Sequence, residues 1–194
     1  MTRLEQLRDE VADCRRCELY RGATQAVFSD GTASARLMLV GEQPGDREDI
    51  EGEPFVGPAG RVLDQALEAA AIARREVYLT NAVKHFRFER RGTRRIHEKP
   101  AVTHIKACHP WLAEELQIVR PEVVVCLGAT AGRAVLGRAV RIGAERGQVL
   151  DELSRAAVVV TTHPSALLRL RDRGDYQAQF DRLVDDLKLA ATAR

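Results

Sequence analysis

Four short runs dense in Val and Leu constrain this chain more than any other feature: residues 37–40, 77–80, 123–127 and 157–161. None alternates apolar with polar residues, so none reads as a strand with one wet face. A run apolar on both sides fits a strand of a parallel sheet covered above and below. Amphipathic stretches lie between the runs. Residues 60–73 bring Leu63, Ala66, Leu67 and Ala70 to one helical face, and residues 100–119 do the same with Ile105, Trp111, Leu112 and Leu116. Helices are also predicted over 129–136, 176–191 and, with Leu4, Leu7 and Val11 on one side, over 3–13. Strands alternating with helices predict an α/β class: a three-layer α/β/α domain around a short, mainly parallel, four-stranded sheet. The chain has 194 residues and no repeat, linker or low-complexity tract, so residues 1–194 are expected to form one domain. Sites in such sheets gather beyond the carboxyl ends of the strands.

No stretch approaches about 18 consecutive apolar residues, so no membrane span is predicted. The first residues lack the apolar centre of a secretory signal. The expected compartment is the cytoplasm, where disulfides are rare. That draws attention to the four cysteines, Cys14 and Cys17 in a C-x-x-C, then Cys108 and Cys126. Zinc and a [4Fe–4S] cluster both accept four thiolates. The spacing selects neither, and two buried thiols beside an incidental C-x-x-C is the remaining reading.

Charge is unevenly placed. Residues 84–99 hold seven Lys or Arg and two Glu, a local +5 in a chain whose total is +2, which leaves −3 for the rest. Phe86 and Phe88 interleave with these charges. A basic segment with aromatics suits a nucleic-acid partner, and single-stranded DNA in particular. A solvated charged loop is the plainer alternative.

The loops after the runs carry the other polar motifs. Gly41-Glu42-Gln43-Pro44-Gly45-Asp46 follows the first run and offers a carboxylate and a carboxamide at a strand end. Glu53-Pro54-Phe55-Val56-Gly57-Pro58-Ala59-Gly60 sets Phe55 among prolines and glycines, a position suited to stacking on a flat ring. Thr80-Asn81-Ala82-Val83-Lys84-His85-Phe86 presents Asn81, whose amide both donates and accepts. Thr162-His163-Pro164-Ser165-Ala166-Leu167-Leu168-Arg169 follows the fourth run. There His163 can bond an oxygen that gains charge, Ser165 can cap a helix and Arg169 can meet a phosphate. Each motif alone also reads as an ordinary polar turn or helix start.

Their joint order does not. GEQPG, PFVGPAG, TNAVKHF and HPSALLR, with C-x-x-C ahead and Cys108 and Cys126 between, resemble the iron–sulfur uracil-DNA glycosylases over most of the chain. The resemblance implies a [4Fe–4S] cluster on Cys14, Cys17, Cys108 and Cys126, and a uracil flipped out of DNA between the strand ends. One branch, the UdgX-type proteins, carries Gln in the first motif and an inserted basic loop, K-R-R-I-H. This chain is similar to it: Gln43 is in place, and Arg94-Arg95-Ile96-His97 matches, with Thr93 where the branch has Lys. The branch resemblance implies that His97 attacks the sugar once uracil has left, giving a stable protein–DNA adduct and a single turnover.

The residue types suit that chemistry. A base must leave the stack to be reached. Asn81 can accept the uracil ring N–H and donate to the carbonyl that cytosine lacks, and mispairing would cost about 1–3 kcal/mol per unsatisfied group. Phe55 would stack on the ring, with Gly41 letting the backbone come close and Gln43 and Ser165 bonding its edges. His163 would stabilise charge on the departing uracil, a contribution of about 2.7–4 kcal/mol for such donors. Glu42 would support the sugar cation and take the His97 proton. Arg94, Arg95 and Arg169 would bind phosphates. His85, His104 and His109 are read as structural. The rival readings are an ordinary multiple-turnover glycosylase, a non-catalytic iron–sulfur DNA-binding module and a zinc-binding variant. A monomer is expected.

Overall fold

The computed structural model describes residues 1–150, 153 and 155–193. The chain opens with α1 (Arg3–Ala12), where the Thr2 side chain and Glu5 form a reciprocal capping box. Next come β1 (Ser29–Asp30), β2 (Leu37–Gly41), α2 (Asp46–Glu51), α3 (Pro58–Ala69) and β3 (Val77–Asn81). A hairpin of β4 (Phe88–Arg91) and β5 (Arg94–His97) precedes α4 (Val102–Val119). Then follow β6 (Val123–Leu127), α5 (Ala129–Leu136), α6 (Ile142–Glu145), β7 (Val149–Leu150), β8 (Ala157–Thr161), α7 (Pro164–Leu167) and α8 (Arg173–Thr192).

The four apolar runs are β3, β2, β6 and β8, neighbours in that order and parallel throughout. Every residue in them is buried, as a strand covered on both faces requires. The two-residue strands β1 and β7 add antiparallel edges, so the sheet has six strands where the pattern predicts four. A two-residue edge has no period for a sequence to display.

The strand period of two sorts these residues into two cores. Leu39, Leu79, Val125 and Val159 pack against Leu63 and Leu67 of α3 and Leu183 and Leu187 of α8. Met38, Val40, Val124 and Val158 pack against Ile105 and Leu112 of α4 and Ala131 and Val135 of α5. The result is the expected α/β/α stack, each large side chain contributing about 1.5–3 kcal/mol on burial. A third cluster, with Leu7, Val11 and Trp111, seats α1 on α4.

Register places the site. Gly41 pairs with Asn81 and Leu127 with Thr161, so the carboxyl ends of the four strands finish almost level. β2 is flanked by β3 on one side and β6 on the other, and the chain's crossovers part there. The basic segment is an ordered hairpin. Arg91 pairs with Arg94 across a two-residue turn, where Gly92 supplies a φ of +62°. Among the described residues no helix is long and apolar enough to cross a membrane.

Candidate active site

The loops after β2, β3 and β8, with the end of the hairpin, line a cleft of about 440 Å³. Glu42, Gln43, Phe55, Asn81, His97, His163, Ser165 and Arg169 all border it. Gly41 makes the centre possible. A Cβ there would collide with Asn81 Oδ1 and the Phe55 ring, so glycine lets both close over the strand end. Phe55 is buried and holds a left-handed φ of 60°, a costly conformation for a non-glycine residue that is common at functional sites. Its ring lies 6.4 Å from that of His163, centroid to centroid, at 27°.

His163 caps α7. Its Nδ1 accepts from the Ser165 amide at 3.1 Å and sits 2.8 Å from the Ser165 hydroxyl. An accepting Nδ1 carries no proton, so the neutral ring holds its proton on Nε2. Burial lowers the His163 pKa to about 4, with the charge of Glu42 opposing the shift. The imidazole is therefore a neutral donor at neutral pH. Ser165, expected on substrate, instead fixes this tautomer.

Glu42 accepts from the Thr130 hydroxyl, and its Oε1 lies 3.3 Å from His97 Nε2. Burial opposes ionisation of Glu42, but the His97 and Thr130 contacts outweigh it, and the carboxyl is held below its ordinary range. His97 ends β5 with its side chain 41% exposed, close to the Phe86 ring.

Gln43, expected to meet a base edge, is buried and braces the hairpin. Its Nε2 donates to the carbonyls of Arg87 and Glu98, both at 3.1 Å, and its Oε1 accepts from the Arg87 amide at 3.0 Å. Those residues are the two feet of the β4–β5 hairpin. Arg95, expected on phosphate, points inward. It pairs with Asp46 and Asp49, both at 2.5 Å, and lies over the Phe86 and Phe88 rings at 5.4 and 5.1 Å. Phe86 is itself buried and holds the hairpin rather than facing outward, while Phe88 is half-buried. Arg94 is exposed at the start of β5, and Arg169 is exposed on the rim beside the 48%-exposed Leu168.

Sequence reasoning missed Thr130, Asp46 and Asp49 as supports. The signal was present: Asp46 and Asp49 are three apart and share a helical face directly after the GEQPG loop.

The cysteines divide three and one. Cys14 Sγ accepts from Trp111 Nε1 at 3.1 Å, Cys17 from the Leu19 amide and Cys108 from the Lys84 amide. Cys14 lies near enough to raise the pKa of Cys17, and both raise that of Cys108, although burial is the largest cause and takes Cys108 to about 11. Cys126 stands apart in the centre of β6, its thiol pushed up to about 12 by burial alone. The expected four-cysteine set is therefore not gathered. Among the described residues no group of three His, Cys, Asp or Glu converges on one ion.

Residues 28–188 match the family described as "Uracil DNA glycosylase superfamily". A "Type-4 uracil-DNA glycosylase" of Thermotoga maritima is 37% identical over 169 residues, 87% of this chain and 84% of that protein. One of the same name from Archaeoglobus fulgidus is 31% identical over 191 residues, 94% of this chain and 92% of that protein. A "Type-5 uracil-DNA glycosylase" of Pyrobaculum aerophilum is 31% identical over 185 residues, 85% of this chain and 76% of that protein.

Proposed function

The chain belongs to the uracil-DNA glycosylase superfamily, and we propose that it draws uracil out of DNA, cuts its glycosidic bond and captures the sugar through His97. The observation that carries this reading is the meeting, in one cleft, of a neutral imidazole donor, His163, with a carboxylate–imidazole pair, Glu42 and His97.

Uracil would stack on Phe55, with Asn81 pairing its edge and His163 Nε2–H bonding the carbonyl that gains charge. As the bond between the base and C1′ breaks, its electron pair leaves with uracil, which later takes a proton from water. Glu42 faces the sugar cation. The unprotonated nitrogen of His97 forms a bond to C1′, and Glu42 takes the proton from the other nitrogen. A neutral N-alkyl imidazole is a poor leaving group, so the adduct persists. Holding the imidazole against the sugar is worth several kcal/mol over a free nucleophile. Gln43 and Arg95 support this by fixing the hairpin that carries His97. Exposed Arg94 and Arg169 would meet phosphates, with single-stranded DNA favoured.

A [4Fe–4S] cluster is part of the proposal. Cys14, Cys17 and Cys108 would hold it, and their N–H donors suit thiolates whose charge burial otherwise disfavours. Bound, it ties the N-terminal segment to α4 and supplies charge that those thiolates neutralise.

A second reading, an ordinary multiple-turnover glycosylase, rests on the names of the relatives. A denaturing gel separates the two, using a labelled uracil oligonucleotide, a thymine control and His97→Ala protein. A boiling-resistant shifted band that needs both uracil and His97 is the expected result. Alkali-labile sites without that band would establish ordinary hydrolysis. Neither product would remove the catalytic reading.

A further inference from the structure

We infer that Arg146, held by Asp186, is a positioning residue for the reaction: it anchors Thr162 and through it sets where His163 stands. The inference rests on the uracil-excision reading above and deepens it.

Asp186 is an unusual residue for its place. It lies on the core side of α8 with Leu183, Leu187 and Ala190, and is 5% exposed. A carboxylate buried there needs partners. Three donors converge on its Oδ2: Arg146 Nε at 3.1 Å, Arg146 Nη2 at 2.8 Å and the Thr161 hydroxyl at 2.5 Å. Arg146 lies between α6 and β7, and its backbone bridges to Val160 of β8. Its remaining nitrogen, Nη1, donates to Thr162 Oγ1 at 3.0 Å and to Gln179 Oε1 at 3.2 Å. One guanidinium thus ties α8 to the end of β8. Its rigid fork of donors can hold both at once, which a lysine ammonium cannot.

A buried ion pair is weak evidence for stability, because desolvation offsets the attraction and apolar residues of similar volume often serve as well. What this pair supplies is direction. Thr161 and Thr162 are the two residues before His163. The Thr161 carbonyl also accepts from the Gly128 amide at 2.9 Å, so the backbone entering His163 is fixed from the β6 side too. Beyond that point Ser165 holds His163 Nδ1. Arg146 and Asp186 lie outside the set of residues bordering the cleft, so they act through Thr162 and not on substrate.

Two properties of His163 depend on this anchor. Its Nε2 proton must meet the uracil oxygen, and a small displacement of a reacting group is costly. Its ring stays neutral because it is buried, and a loosened strand end admits water that relieves the burial. The titratable and charged groups facing His163 are Glu42, His97 and Arg169, and none of them is altered by a change at Thr162.

The test compares wild-type protein with Thr162→Val, Thr162→Ser and the pair Arg146→Met/Asp186→Leu, which removes both buried charges together. Three quantities are measured: single-turnover uracil release across pH, affinity for an oligonucleotide with a fluorinated, non-cleavable uracil nucleotide, and melting temperature. Thr162→Val and the double variant should bind like wild type but release uracil about tenfold or more slowly, with the acid decline moved to higher pH. Thr162→Ser keeps the hydroxyl and should match wild type. If the double variant does not fold, the two Thr162 variants decide. A wild-type rate and pH profile in Thr162→Val would overturn the assignment. So would a loss confined to affinity or melting temperature, or a Thr162→Ser protein as slow as Thr162→Val. Wild-type protein that releases no uracil would overturn the excision reading and this one with it.

Discussion

His97 Nε2 lies 3.3 Å from Glu42 Oε1, joining the last residue of β5, at the foot of the hairpin, to the loop after β2. This contact places a proton acceptor beside the proposed nucleophile. Replacing Glu42 by Gln keeps the shape and removes the charge. Adduct formation should slow by about a hundredfold or more, the usual range for a lost general base. Single-turnover appearance of the boiling-resistant band measures it. An unchanged rate would remove Glu42 from the proton's path.

Among the described residues Gln43 makes three hydrogen bonds to the feet of the hairpin and none to a neighbour in the cleft. Its substitution should therefore act on His97 rather than on uracil. In Gln43→Ala, adduct formation should fall about tenfold or more, as small misplacements of a reacting group do, while affinity for uracil DNA holds. Amide exchange at Arg87 and Glu98 should accelerate. Weakened uracil binding with unchanged exchange would return Gln43 to the base edge.

Arg95 and Arg94 adjoin in sequence but should behave oppositely. Asp49 is fully buried, and its carboxylate is held by Arg95 and the Thr24 amide. Arg95→Ala leaves that charge without its cation, which for a broken buried pair costs about 3–5 kcal/mol. Thermal unfolding should show a clear loss for Arg95→Ala and none for Arg94→Ala. Arg94→Ala should instead weaken DNA binding and flatten its salt dependence. Equal melting temperatures for the two variants would contradict the buried network.

The unequal fate of these neighbours shows where the sequence stops being legible. The four central strands announce themselves because Val and Leu must fill both faces of a parallel sheet, and the strand ends then fix where Glu42, Asn81 and His163 stand. What side chains do at those ends depends on partners distant in the chain. Gln43 reads as a base contact until the hairpin feet are seen to meet it. Arg95 reads as a phosphate contact until Asp49 is seen beneath it. Cys126 counts as a fourth thiolate only while its depth in β6 is unknown. Composition can report a charge but not its direction.

His163 gives a pH signature with a definite sign. Burial lowers its pKa from 6.5 to about 4 in the fold. Between those values the unfolded chain binds a proton that the native chain refuses, so stability is fully present above pH 6.5 and falls as the pH drops toward 4. Replacing His163 by Gln should flatten that window in acid melting curves. Activity follows the same group. A neutral ring keeps its Nε2 proton for the departing uracil until the pH nears 4, and Glu42, held below its ordinary range, stays ionised over most of that interval. Single-turnover uracil release, measured on the wild-type protein, where capture follows release, should stay level through pH 6.5 and decline only near pH 4. A decline centred on pH 6.5 would mean that His163 acts as a cation, and the neutral-donor account would have to be given up.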